Sequence, residues 1–238
     1  MPAEANPLVE NIARVRERIV RAAASVGRRA DEVTLVAVSK TFPPEAIRAA
    51  YDTGVRHFGE NRVQEFESKR NTLTGLDAIW HMIGHVQSNK ARKVAELFNR
   101  VDSIDRFSTA EKLDTAIAEG AAGKRLPVLI EVKVAGEETK SGVEEGALAH
   151  LVEDISQKCS DLDLRGLMAI PPYADDPEQA RPYFRRLREL RDRLRQKLGL
   201  ELPVLSMGMS HDFEVAIEEG ATEVRIGTAI FGSRQQIL

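Results

Sequence analysis

The chain has 238 residues, 42% of them hydrophobic and 30% charged, with a formal net charge of -3. That is the composition of a globular protein with enough apolar mass for a core, and its slight acidity excludes a general nucleic-acid binder, which would be basic. One cysteine, Cys159, excludes an internal disulfide, and no apolar run approaches a membrane span.

The pattern predicts an amphipathic helix over Pro7–Val26, with Leu8, Ile12, Val15, Ile19 and Ala23 on one face. The stretch MPAEANPLVENIARV lacks the apolar centre of a signal peptide, so a cytoplasmic protein is expected. The β-branched run Val33–Ser39 follows as a buried strand, and Pro43-Pro44 opens a helix to Thr53. Further strands are predicted near Arg56–Phe58, Ile79–Ile83, Val101–Ile104, Pro127–Val134, Leu164–Ala169, Val204–Met207 and Glu223–Ile226. Helices are predicted between them, over Val63–Leu73, Lys90–Phe98, Thr109–Ala121, Glu144–Lys158, Pro177–Leu198 and Phe213–Glu219. Gly54, Gly120 and Gly220 fall where helix C-caps are expected. The basic stretch Arg181 to Arg195 alternates with Leu at helical spacing, which suits a solvated helix face. Cys159, in a helix-like segment without a Cys or His cluster, suits a structural thiol.

Eight strands alternating with helices predict an α/β protein: a single (β/α)8 TIM barrel over residues 1–238, with one extra N-terminal helix. A doubly wound open sheet is the alternative. In a barrel the chemistry gathers on the loops after each strand. Those loops contribute Lys40, Gly59-Glu60-Asn61, Gly84-His85, Asp105-Arg106, Gly136 with Lys140-Ser141-Gly142, Pro171-Pro172-Tyr173, Ser206 to Ser210, and Gly227-Thr228. The set is rich in Gly, Ser, Thr and Asn, and Lys40 is its convergent amine.

A lysine at the end of a buried strand is costly to shield without a partner, and shielding makes its amine a better nucleophile. A bound aldehyde cofactor would be such a partner, through a Schiff base. An ordinary strand-ending surface lysine is the competing reading. SMGMSHD and RIGTAIFG lie at the loops where barrels often bind phosphate, with glycines for close backbone approach and hydroxyls as donors. Ser210 and Asp212 would otherwise be plain N-caps. Arg225 shares its side of the strand with Gly227 and needs an acceptor: another strand's carboxylate, or a cofactor ring nitrogen. His81 is expected inside the barrel and His85 near its mouth; no Cys or carboxylate pattern beside them spells a metal site.

The segments VAVSKT, FGENRVQE, WHMIGHVQSNK, KSGV, GLMAI, SMGMSHDFEVAI and VRIGTAIFG, in this order, resemble the YggS/PROSC family of pyridoxal 5′-phosphate (PLP) homeostasis proteins. The resemblance spans the chain and is specific as a combination. It implies a fold-type III PLP barrel, like the N-terminal domain of alanine racemase, with Lys40 holding PLP as an internal aldimine. By residue match, Ser210, Gly227 and Thr228 bind the phosphate, with Ser206 a weaker candidate. Arg225 faces the pyridine nitrogen and Asn61 lies near the ring. It implies a carrier or regulator of vitamin B6 supply, with apo PLP-dependent enzymes as partners and no catalytic residue or metal. Neither nucleic acid nor a membrane is an expected partner, and a monomer is preferred over a dimer. Arg234 is followed by Gln235-Gln236 where family members often carry an aromatic, which leaves the contacts of the C-terminal tail open. The alternative is a PLP-dependent amino-acid racemase or decarboxylase. A two-base racemase needs a second acid/base opposite Lys40, for which Tyr173 and His85 are the candidates.

Overall fold

The computed structural model describes residues 7–120, 124–135 and 141–233. Gly136 and Lys140 of the fifth loop, and Arg234, Gln235 and Gln236 of the tail, lie outside the described residues. Eight parallel strands close into a barrel in chain order: β1 (Thr34–Val38), β2 (His57–Glu60), β3 (Ile79–Met82), β4 (Arg100–Ile104), β5 (Leu126–Glu131), β6 (Leu162–Met168), β7 (Val204–Ser206) and β8 (Glu223–Ile226). β8 pairs back onto β1, so the open-sheet alternative falls away. Between the strands run α2 (Pro44–Asp52), α3 (Val63–Arg70), α4 (Ala91–Leu97), α5 (Phe107–Gly120), α6 (Glu145–Lys158), α7 (Arg181–Leu198) and α8 (Phe213–Glu218).

The extra helix α1 (Pro7–Ser25) buries Ile12, Val15, Ile19, Ala22 and Ala23, as its periodicity predicts. It packs on α8 and on a short α9 (Thr228–Phe231) that follows β8. Arg18 grips Glu214 through two bonds of 3.0 and 2.7 Å, and Asn11 Nδ2 donates to the Ile230 carbonyl at 2.9 Å. The main apolar layer lies between the strands and the helices. On one side Trp80 packs against Phe58 and Phe66, at ring separations of 5.3 and 4.7 Å, and Phe66 against Phe98 at 4.9 Å.

Departures from the predicted elements have local causes. The predicted strand Pro127–Val134 ends at Glu131, because Val132 bridges to Val143 of the returning chain. The predicted helix from Pro177 begins as a separate 3₁₀ turn, Pro177–Ala180, capped by Asp176 on the Glu178 N–H at 3.0 Å. Pro182, which lacks an N–H, then suits the first turn of α7. Gly54 and Gly220 take positive φ just past their helices, whereas Gly120 is the last helical residue of α5. Cys159 is buried after α6, where burial pushes its thiol up to about 11, in keeping with a structural role.

The lower interior of the barrel holds charge. Arg100 at the start of β4 ion-pairs with Asp102 and, at 2.9 Å, with Glu223 at the start of β8. His81 joins Asp102 through Nδ1 at 2.9 Å and meets His57 Nδ1 through Nε2 at 3.0 Å. His81 is interior, as expected. Its convergence with Asp102 and Glu223, whose ligand-type atoms lie within 4.8 Å of one another, was not visible in the sequence, since the three come from different strands. The Arg100 guanidinium pairs with both carboxylates and supplies their cation.

Candidate functional site

The register places Arg225 of β8 beside Val36 of β1. Arg225 is 4% exposed and reaches past β7 to the Ala169 carbonyl after β6, at 2.9 Å, so its side of the strand is the barrel interior. Side chains alternate along a strand, which puts Val36 and Val38 on that same line, and Lys40 follows two residues past the end of β1. Lys40 therefore arrives, half-buried, at the rim where that line emerges. Thr41, a β-branched residue, follows in the left-handed region at φ 69°. That conformation costs about 1–2 kcal/mol and persists only when its surroundings hold it. The Thr41 N–H donates to Glu65 of α3, and Phe42 stacks on Phe231 of α9 at 4.8 Å. The loop of Lys40 is thereby joined to the loop after β8.

Ser210 Oγ accepts the main-chain N–H groups of Gly227 at 3.3 Å and Ala229 at 3.2 Å. Ser210 is thus not the N-cap of α8. It reaches across to the first turn of α9, where Thr228 is exposed beside Gly227. Ser210 Oγ thus occupies the Gly227 and Ala229 N–H groups, and together with the exposed Thr228 hydroxyl these are donor types suited to an anion. Gly208 shapes the loop before it: φ is 92°, and a Cβ there would lie 2.6 Å from Ala216 Cβ and 2.9 Å from Phe213 Cα. Asp212 anchors the same loop by accepting the Met209 N–H at 2.6 Å.

Ser206, the weaker phosphate candidate, is fully buried, and the structure gives it to Arg225 rather than to the Ser210–Gly227 group. Its Oγ accepts from Arg225 Nη1 at 2.7 Å. Among the described residues the Arg225 guanidinium hydrogen-bonds only neutral oxygens, those of Ser206 and Ala169. Burial pulls it below the ordinary arginine value, against the more distant pull of Glu223, Asp102, Glu131 and Asp212.

Asn61 follows β2 on the neighbouring rim. A Cβ at Gly84 would lie 2.2 Å from the Asn61 carbonyl, so the two loops touch at a place only glycine fits. Asn61, Gln64, Met82, His85 and Lys90 line a cleft of about 490 Å³ there. His85 does reach the mouth, exposed and 3.3 Å from Asp105. Tyr173 is 75% exposed, with its ring against His211. Glu131 escaped the sequence reading. It is buried at the end of β5, accepts from Ser141 Oγ at 2.9 Å, and is pushed up by burial. The signal for it was its parity within a strand that the sequence had continued to Val134.

Known proteins match this arrangement over nearly the whole chain. A family model described as alanine racemase, N-terminal domain, matches residues 11–235. The pyridoxal phosphate homeostasis protein of Aquifex aeolicus is 48% identical over 226 residues, covering 95% of this chain and 98% of that protein. The protein of the same name in Pseudomonas aeruginosa is 47% identical over 227 residues, covering 95% and 96%. PipY of Synechococcus elongatus, solved without PLP and with PLP bound, superposes with a TM-score of 0.84 at 38% and 37% identity, covering 94% of this chain and 100% of that one. Alanine racemase of Corynebacterium glutamicum shares the fold at 18% identity, with a TM-score of 0.70 over 95% of this chain and 62% of the racemase. The closed barrel and the relatives agree: the chain belongs to the alanine racemase N-terminal-domain family, among its pyridoxal phosphate homeostasis proteins.

Proposed function

We propose that this protein binds PLP and acts in its homeostasis, holding the cofactor reversibly rather than turning over a substrate. The observation that supports the reading is the β1–β8 register, which pairs Arg225 with Val36 on the strand that leads to Lys40, while Ser210 takes the Gly227 and Ala229 N–H groups just after β8. The residues fit the group. A buried guanidinium bonded only to neutral oxygens suits a ring nitrogen, N–H and hydroxyl donors suit a phosphate, and a rim lysine suits an aldehyde. When bound, PLP supplies an electrophilic aldehyde and an electron-accepting ring.

In this reading Lys40 would hold the aldehyde as a Schiff base, formed with loss of water, and hydrolysis by solvent water would free the lysine and return the cofactor to solution or to an apo-enzyme. Ser210, Gly227 and Thr228 bind the phosphate, and Asn61 borders the ring. Arg225, an always-charged donor, would face the pyridine nitrogen, favour its unprotonated form and so restrain carbanion chemistry. Ser206 and the Ala169 carbonyl orient Arg225. Tyr173 and His85, which a racemase or decarboxylase would recruit, are exposed at the surface, and this favours the carrier reading. The single closed barrel among the described residues supports a one-domain reading of the chain, with a monomer preferred over a dimer. The free, buried Cys159 suits a reducing compartment such as the cytoplasm. Among the described residues no helix is long and apolar enough to cross a membrane.

The test is the visible spectrum of the purified protein with PLP, before and after a panel of L- and D-amino acids. A lysine-linked band that persists without product is expected, and Lys40→Ala abolishes it together with the borohydride-reducible adduct. Turnover or racemisation of any one amino acid would make the protein an enzyme, with Tyr173 and His85 the residues to substitute.

A further inference from the structure

The rim around Lys40 contains a second lysine that the cofactor reading does not use. Lys69 lies in the last turn of α3 and is 8% exposed, a costly position for an ammonium unless each N–H finds an acceptor. Its Nζ meets Glu65 Oε1 at 2.6 Å, the Ser39 main-chain oxygen at 3.2 Å, and both Glu60 oxygens at 3.4 Å. Ser39 Oγ donates to Glu60 at 2.7 Å. Glu65 Oε1, the same oxygen that takes Lys69, also accepts the Thr41 N–H.

These bonds straddle Lys40. The Ser39 carbonyl belongs to the peptide plane before Lys40, and the Thr41 N–H belongs to the plane after it. Because each peptide group is rigid, holding both planes sets φ and ψ of Lys40 itself. The second plane needs holding, because Thr41 sits at φ 69°, where a β-branched residue does not rest unaided. Burial works to raise Glu65, yet it is held below the ordinary carboxylate range by Lys69 and by the Thr41 N–H. Burial raises Glu60, against Lys69 and Ser39.

We propose that Lys69 and Glu65 form a clamp that fixes the backbone on both sides of Lys40 and so aims its amine at the cofactor. They are positioning residues for cofactor capture, acting through Lys40 and not by touching PLP. The inference rests on the reading that Lys40 carries PLP.

The test compares Glu65→Ala, Glu65→Gln and Lys69→Met with the native chain and with Lys40→Ala. It reads the rate of PLP capture, the pH profile of the visible band and the borohydride-reducible adduct, with thermal melts of the cofactor-free forms alongside. Glu65→Ala and Lys69→Met are expected to slow capture roughly tenfold to a hundredfold and to shift the pH profile, as a mis-aimed reacting group does. Glu65→Gln keeps an amide oxygen that can accept from both Lys69 and Thr41, so it should restore most of the rate. If Glu65→Ala does not fold, Glu65→Asp carries the test: it keeps the charge but is one methylene too short to bridge. Native capture and pH profile in Glu65→Ala, Glu65→Asp or Lys69→Met overturns the clamp, and so does Glu65→Gln as slow as Glu65→Ala. A reducible adduct that survives in Lys40→Ala would instead overturn the assignment of Lys40.

Discussion

Two arginines lie inside the barrel, one at each end, and their surroundings differ in kind. Arg100, at the lower end, meets the carboxylates of Asp102 and Glu223, and its network continues through His81 to His57. Arg225, toward the mouth, meets a serine hydroxyl and a main-chain carbonyl. The first is a charge neutralised by the fold itself. The second is desolvated and left with neutral acceptors, an arrangement that serves a ligand better than it serves stability. One end holds a buried charge that the fold pairs, and the other a buried charge that is proposed to meet the cofactor.

Substitutions at the two ends test this difference. Arg100→Met strands two buried carboxylates, so it should destabilise the cofactor-free protein by about 3–5 kcal/mol in denaturant melts. Arg225→Met removes a charge that no carboxylate pairs with in the described residues, so the cofactor-free melt should stay near native or rise. The same substitution should weaken PLP binding by about 2–3 kcal/mol, the worth of a hydrogen bond to a charged group. Equal stability losses at Arg100 and Arg225 would erase the contrast. Thr228→Val, beside Gly227, should weaken PLP binding by about 1–2 kcal/mol with little change in melting. Unchanged affinity would remove Thr228 from the phosphate site.

The smallest effect is a pH slope from the lower network. Burial, followed by the charges of His81 and Arg100, lowers His57 from 6.5 to about 4. Between those values the unfolded chain binds the proton that the folded chain refuses, so stability rises with pH across that window and falls on acidification through it. Glu60 and Glu131, raised by burial, tilt the other way, so the useful quantity is a difference. The native chain should lose more stability than His57→Gln between pH 6.5 and 4. Parallel curves would remove His57 as the source.

Much of the proposed site rests on local signals. Lys40 ends a β-branched run, Gly227-Thr228 ends another, and Arg225 stands two residues before Gly227, so side-chain alternation alone put arginine and glycine on one side. What stayed illegible was who partners whom. Ser206 and Ser210 look alike in SMGMS, yet one orients Arg225 and the other closes on the first turn of α9. Nothing in QEFESKR marks out Lys69, and only the packing of α3 against the end of β1 buries it.

The order of strands and helices and the extra first helix follow from the amino-acid pattern alone, as does the choice of loops proposed to hold the cofactor. Periodicity, prolines and glycines act over a few residues and need no knowledge of the rest of the chain. Closure of the barrel was the tertiary decision. It brought β8 beside β1, joined Arg225 to a carbonyl 56 positions away, and gathered His81, Asp102 and Glu223 from three strands. The reason is physical: alternation says which side of a strand a residue faces, whereas the neighbour it meets there depends on strand register and on how the sheet curls shut.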